Sequence, residues 1–152
     1  MLSRFTVPLL AAAAVLVVCG PRANISAVST RAMQSTDGDI SASVRVDADA
    51  ASQRMTFSLT LRNGSGRAID VAFPSGKTHE FVVLDAAGRE VWRWSDGRLF
   101  TQLMQSRMVG ANQALTFDER WDAPLASGRY TLVALLLSDT HPVERRVEFA
   151  VP

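Results

Sequence analysis

The sequence predicts an all-β fold, an immunoglobulin-like antiparallel β-sandwich of about eight strands, and three observations carry that prediction. Apolar and polar residues alternate strictly through 40–47 and 54–62, turn-forming residues recur roughly every ten positions, and no segment keeps a helical period over ten or more residues. A two-residue period belongs to a strand with one face buried and the other in water. Many short strands punctuated at that spacing belong to a sandwich.

Ile40, Ala42, Val44 and Val46 share one face of the first strand, and Ser41, Ser43, Arg45 and Asp47 share the other. Met55, Phe57, Leu59 and Leu61 repeat the pattern, and Asn63-Gly64-Ser65-Gly66 then reads as a hairpin turn, made of residues that tolerate positive φ. Ile69, Val71 and Phe73 form a third run, ended by Pro74-Ser75-Gly76. Residues 81–84 and 90–94 flank Asp85-Ala86-Ala87-Gly88, a loop of hairpin length. Trp92 and Trp94 on the second of these arms project from one face, about 7 Å apart. Two indoles on one strand predict the centre of the sandwich, since each removes roughly 150–250 Å² from water. After them come a short extended piece at 100–104, a turn at 109–112, a strand over 114–121 and a turn at Ala126-Ser127-Gly128. Residues 130–136 are more continuously apolar, as in a central strand, and 143–151 close the domain. The stretch 101–108 comes nearest to a helical period and is too short to sustain one.

Ahead of this domain, residues 1–23 have the form of an export signal, with Arg4 followed by an apolar run over 7–18. That run falls short of the about 20 residues a membrane helix needs, so removal or anchoring is expected. Leu16-Val17-Val18-Cys19 resembles a lipobox with Cys19 as the lipidated residue, although Val18 stands where a small residue is usual. Cleavage near Ala23 and an uncleaved anchor are the alternatives. The expected location is exported: periplasmic, secreted or associated with the cell envelope. Residues 24–39 are small and polar and read as a flexible tether, which leaves 40–152 as the folded domain.

Composition narrows the function. Cys19 is the only cysteine, so the domain has no internal disulfide and no thiol chemistry. Without residues 1–23, which hold Arg4 and Arg22, 14 basic side chains face 15 acidic ones, a net charge of −1. That balance favours neither a nucleic-acid nor an anionic-membrane partner, and membrane contact is expected only through the signal or a lipid anchor. His79 and His141 are the only histidines, each beside a turn or a proline, and read as exposed loop residues. No Gly-x-Ser-x-Gly elbow, paired cysteines or calcium-loop spacing accompanies them, so no catalytic site, metal or cofactor is expected. Phe73, Phe81, Trp92, Trp94, Phe100, Trp121 and Tyr130 read as structural core.

Phe73, Ser75-Gly76, Glu80-Phe81, Gly88, Val91-Trp92-Arg93-Trp94-Ser95, Phe100-Thr101-Gln102, Trp121 and Gly128-Arg129-Tyr130 follow one another at a recognisable spacing. In this the sequence resembles the BsuPI-type intracellular proteinase inhibitor family, over about residues 40–150. The resemblance implies an immunoglobulin-like sandwich and inhibition of a subtilisin-like serine protease inside the cell. The sequence departs from that pattern at Lys77, where glutamine is usual, at Glu80, where aspartate is usual, and at Ala111, where an acidic residue often stands. The export signal is a further departure. An inhibitor needs an exposed loop held extended by a rigid base, so that little entropy remains to be lost on binding. Two loops qualify: 95–99, braced by aromatic residues, and 104–108, with two methionines and an arginine. The candidate contacts are Ser95, Arg98, Leu99, Gln102, Met104, Arg107 and Met108, on a monomer whose partner is a serine protease. A non-catalytic protein-binding or structural module of the cell envelope is the alternative.

Overall fold

The structure, a computed structural model, describes residues 39–49, 54–122 and 125–151. Residues 1–23, read above as an export signal, Cys19 among them, and nearly all of the stretch read as a tether lie outside the described residues. Among the described residues there are nine strands: β1 (Ile40–Asp49), β2 (Arg54–Asn63), β3 (Ile69–Phe73), β4 (His79–Asp85), β5 (Glu90–Arg93), β6 (Gln105–Val109), β7 (Ala114–Asp122), β8 (Gly128–Leu136) and β9 (Val143–Val151). Every pairing is antiparallel, in sheets ordered β1-β2-β7, β5-β4-β8-β9 and β3-β6. The fold is an all-β sandwich.

The alternating faces become the two inner surfaces. Ala42, Val44 and Val46 on β1 and Met55, Phe57, Leu59 and Leu61 on β2 are all buried, while Ser43, Arg45 and Asp47 are exposed. In register, Val44 faces Leu59 and Leu59 faces Phe117. The opposing four-stranded sheet contributes Phe81, Val83, Leu132, Ala134, Val147 and Phe149. Phe57 sits where the two meet, with ring centroids 5.9 Å from Phe81, 5.5 Å from Trp92 and 6.4 Å from Phe149. Burying one such side chain stabilises the fold by about 1.5–3 kcal/mol.

Three expectations are corrected. The tryptophan strand is not the centre of the sandwich: β5 is an edge strand of four residues, and the more continuously apolar β4 and β8 hold the middle. Trp92 instead crosses to the other sheet's edge strand and stacks on Trp121, centroids 5.1 Å apart at 17°, which closes that side of the core. The extended piece is not a strand over 100–104 but β6, over 105–109. Its Ser106, Arg107 and Met108 are exposed, so pairing to β3 rather than a buried face defines it, and no period marks it. Finally, Asn63-Gly64-Ser65-Gly66 is not a hairpin turn: β2 pairs with β1 and β7, so the segment carries the chain from one sheet to another.

Asn63 organises that crossing. Its side chain is fully buried; Nδ2 donates to the carbonyls of Arg67 (2.8 Å), Val109 (3.0 Å) and Gly110 (2.9 Å), and Oδ1 accepts from the amide of Ser65 at 3.0 Å. The Gly64 amide donates to the Asp39 carbonyl at 2.6 Å, and a Cβ on Gly64 would stand 2.8 Å from that oxygen. Glycine is required there by close approach alone.

Candidate partner-binding surface

At one end of the sandwich the chain builds a base from β4 and β5 and lays residues 95–104 across it. The base begins with Glu80 on β4, which is 1% exposed. Phe81 and Val83 alternate with it and face the core, so Glu80 points to the opposite side, where the 74–77 turn and Ser95 cover it. Oε1 accepts from the Ser95 amide at 3.1 Å, and Oε2 accepts from the Ser95 hydroxyl at 2.5 Å. Lys77 Nζ pairs with the same carboxylate and donates to Ser95 Oγ at 3.1 Å, and Arg93 Nη1 lies 3.5 Å from Oε2. Burial alone would raise the carboxyl's pKa, but the Lys77 and Ser95 hydrogen bonds outweigh it and hold Glu80 below its ordinary value. Lys77 and Glu80, two of the positions at which the sequence departs from the family pattern, are thus partners in one contact.

A second layer stacks beside it. Trp94 continues the β5 ladder, its amide donating to the Phe81 carbonyl at 2.9 Å. Its ring lies 4.1 Å from that of His79 and 5.3 Å from that of Phe100, and the Arg98 guanidinium carbon sits 4.7 Å over it. Arg98 Nε donates to the Trp94 carbonyl at 2.8 Å, so a cation–π contact and a hydrogen bond fold the start of the loop onto the indole. The indole Nε1 is buried without a hydrogen-bond partner.

His79 is not an exposed loop residue but a buried one on β4, 6% exposed, with Phe117 4.7 Å from its ring on the other side. Nε2 meets Glu119 Oε1 at 3.2 Å, and Nδ1 meets the Thr78 hydroxyl at 3.1 Å. Because an ionised carboxylate only accepts, the neutral ring donates from Nε2 and accepts at Nδ1. Burial disfavours the imidazolium more than Glu119 and Glu80 favour it, so the pKa of His79 is lowered. Hydroxyl, imidazole and carboxylate in this order are the parts of a nucleophile–base–acid relay. Here Thr78 and His79 are both buried, and the group locks β4 to β7. His141 is half-buried in the loop before β9, its Nδ1 3.0 Å from the Thr140 hydroxyl. Among the described residues, no cluster of three or more histidine, cysteine, aspartate or glutamate side chains could hold a metal ion.

From this base residues 95–104 run outward. The amides of Asp96 and Arg98 donate to the carbonyls of Arg93 and Ser95, and Gly97 takes φ 71°, a left-handed turn that glycine allows. The far arm is clamped against the 74–77 turn: the Gly76 amide donates to the Thr101 carbonyl at 2.8 Å, and a Cβ on Gly76 would stand 2.5 Å from Thr101 Cγ2. Between the clamps Leu99 is fully exposed; past Thr101 and before β6 begins, Leu103 and Met104 are 74% and 75% exposed, and Met108, on β6, is 68% exposed. Among the described residues the one other exposed large apolar side chain, Val91, is less open, at 43%.

The sequence candidates therefore divide. Leu99, Gln102, Met104, Arg107 and Met108 face solvent, whereas Ser95 and Arg98 are bonded to Glu80 and to Trp94 and hold the loop in place. Phe73, Phe81 and Trp94 are buried, and Trp92, Phe100, Trp121 and Tyr130 pack half-buried against the core. Leu103 was absent from the candidates, as were Glu80 and His79; an isolated leucine between two polar turns is the one signal that could have found Leu103.

A family model described as BsuPI, intracellular proteinase inhibitor, matches residues 42–141. A comparison with curated proteins found no match. Among solved structures, the yjhA protein from Bacillus subtilis is similar at 18% identity, with 78% of this chain and 96% of that chain covered and a TM-score of 0.42. A Bordetella pertussis protein described as ApaA is similar at 17% identity, with 74% and 89% covered and a TM-score of 0.34. Likenesses this distant carry no argument about function. The family's description corrects one expectation: it is an intracellular family, which points to the cytoplasm and overturns the exported location read from residues 1–23. The family match spans about two thirds of the sequence and takes in β2 to β8 entire, and the chain belongs to the BsuPI family of intracellular proteinase inhibitors.

Proposed function

We propose that the protein is a non-catalytic inhibitor that binds a subtilisin-like serine protease through residues 99–108. The observation that carries this reading is the concentration of exposed large apolar side chains, Leu99, Leu103, Met104 and Met108, on a segment clamped at Arg98 and Thr101 and paired to β3 from Gln105 on. Exposed apolar groups lose contact with water when covered, and a segment already held by Trp94, Gly76 and the β3 ladder loses little further freedom on binding. Its rigid base separates such an inhibitor from a substrate, since a protease cleft closes readily on a chain that can adapt. The family's name supports a proteinase as partner.

The test is to titrate a subtilisin-type protease with the full chain and follow both residual activity and the integrity of the inhibitor. Stoichiometric loss of activity with an intact chain is expected. Leu99→Ala and Leu103→Ala should each weaken inhibition by about tenfold while leaving stability within about 0.5 kcal/mol. Inhibition untouched by the double variant would remove the loop from the reading, and rapid digestion of the wild type would remove inhibition itself.

A further inference from the structure

The strand that carries Met108 has one edge without a partner, and β3 defines which of its groups lie there. In the β3–β6 ladder Asp70 faces Met108 and Ala72 faces Ser106. The backbone of Ala72 is turned away from β6: its amide takes no part in that ladder and donates to the Thr140 hydroxyl at 3.1 Å, and its carbonyl accepts from the Asp139 amide at 2.9 Å. The Asp70 carbonyl likewise accepts from the Thr140 hydroxyl at 2.9 Å. Ala72–Ser106 and Asp70–Met108 are therefore non-hydrogen-bonded pairs, in which both residues direct their N–H and C=O away from each other. It follows that the N–H and C=O groups of Ser106 and Met108 all point out of the sheet, from residues that are themselves exposed. No other described backbone group bonds to them.

We infer that this edge takes up an extended segment of the bound protein as an added strand, with an acidic residue opposite Arg107 and apolar residues on either side of it. Two donors and two acceptors, two residues apart, are the spacing a further strand requires. Arg107 has no ion-pair partner among the described residues and projects from the face opposite to Ser106 and Met108. A cross-strand carboxylate would neutralise it, while the neighbouring side chains of the added strand would fall beside Met108 and the exposed Met104. A second copy of the chain is the wrong occupant. Two β6 strands paired about their centres would set Arg107 against Arg107, and like charges directly opposite are destabilising. The inference deepens the inhibitor reading, on which it rests for the bound protein being a protease.

The test separates the two. Labelled full-length protein is titrated with the capped peptide Thr-Val-Glu-Val-Thr and with Thr-Val-Lys-Val-Thr, and the amides of Ser106 and Met108 are followed by NMR. The glutamate peptide should shift both amides and slow their exchange, and should bind about three- to fivefold more tightly than the lysine peptide. Met108→Pro removes an outward N–H and none of the β3 ladder, and proline is tolerated on such an edge. It should weaken the glutamate peptide and protease inhibition together, by about tenfold. Arg107→Glu should reverse the peptide preference without touching the backbone, which keeps the test sound if the proline variant does not fold. Unperturbed Ser106 and Met108 amides, an unchanged peptide preference in Arg107→Glu, or concentration-dependent dimerisation through this edge would overturn the inference. Inhibition that persists in a folded Met108→Pro would overturn it and leave the inhibitor reading standing. Peptide docking without inhibition of any protease would sustain it and end the inhibitor reading.

Discussion

Glu80→Gln is the substitution that most directly tests how the candidate surface is held. The carboxylate is 1% exposed and is shared by Lys77, the amide and hydroxyl of Ser95, and Arg93 at 3.5 Å. Glutamine keeps one acceptor for the Ser95 amide but turns an NH2 group toward the ammonium of Lys77. Removing one partner of a buried pair costs about 3–5 kcal/mol. The Lys77 side chain is 30% exposed and regains part of its hydration, which reduces the expected loss to about 2–3 kcal/mol. The pH dependence has a fixed sign. A carboxyl whose folded pKa lies below its unfolded value of 4.5 stabilises the fold fully above that value and ceases to do so as pH falls through the folded one. Urea denaturation of both proteins at pH 7, 5 and 3, followed by tryptophan fluorescence, should give a gap of about 2–3 kcal/mol at the two higher values and a smaller one at pH 3. A gap below about 0.5 kcal/mol at pH 7, the range of ordinary surface changes, or one that does not narrow in acid, would refute the reasoning.

Three further predictions concern the same architecture. His79 should titrate with a midpoint below 6.5 in an NMR pH series, because burial favours the neutral ring; its contribution to stability is then lost as pH falls from 6.5 toward the folded pKa, and a midpoint above 6.5 would contradict the packing described. Asn63→Ala leaves the carbonyls of Arg67, Val109 and Gly110 without their side-chain donor and should cost about 2–4 kcal/mol, or about 10 °C in Tm; a change of less than about 2 °C would show that the crossing does not depend on it. Gly76→Ala should cost about 1–3 kcal/mol by pressing on Thr101 Cγ2, and combining it with Thr101→Ser, which lacks that methyl, should recover part of the loss; equal stability of the single and double variants would place the clash elsewhere.

What the sequence discloses about this fold follows how each strand is stabilised. β1 and β2 were legible because each buries one face, so that Val44 and Leu59 had to alternate with polar residues. The aromatic spacing from Phe73 to Tyr130 sufficed to indicate the family. β6 was illegible because backbone pairing to β3 creates it, and Ser106, Arg107 and Met108 carry no periodic signal. The base of the candidate surface was hidden for a different reason. Glu80 and Ser95 lie 15 positions apart, and only the β4–β5 hairpin brings them together; His79 and Glu119 lie 40 apart, on strands of opposite sheets. In sequence Glu80, Ser95 and His79 are ordinary polar residues beside turns, and Glu119 is one more polar residue within a strand. Trp92 and Trp94 announced burial but not position, because an indole closing the edge of a sandwich is as well buried as one at its middle.

An open edge beside exposed leucine and methionine is also a hazard, since unpaired strand edges template aggregation. The placement of Arg107 answers that hazard: a charge at the midpoint of β6 makes self-pairing set cation against cation, and it costs nothing when the incoming strand carries a carboxylate. The same residue can therefore exclude a second copy and admit a partner, which is how discrimination by repulsion works in pairing strands. The base beneath serves the same end. Glu80, Trp94 and Gly76 hold residues 95–101 against β4, β5 and the 74–77 turn, and no described group of that loop bonds the outward N–H and C=O groups of Ser106 and Met108, which are left for a partner to pair.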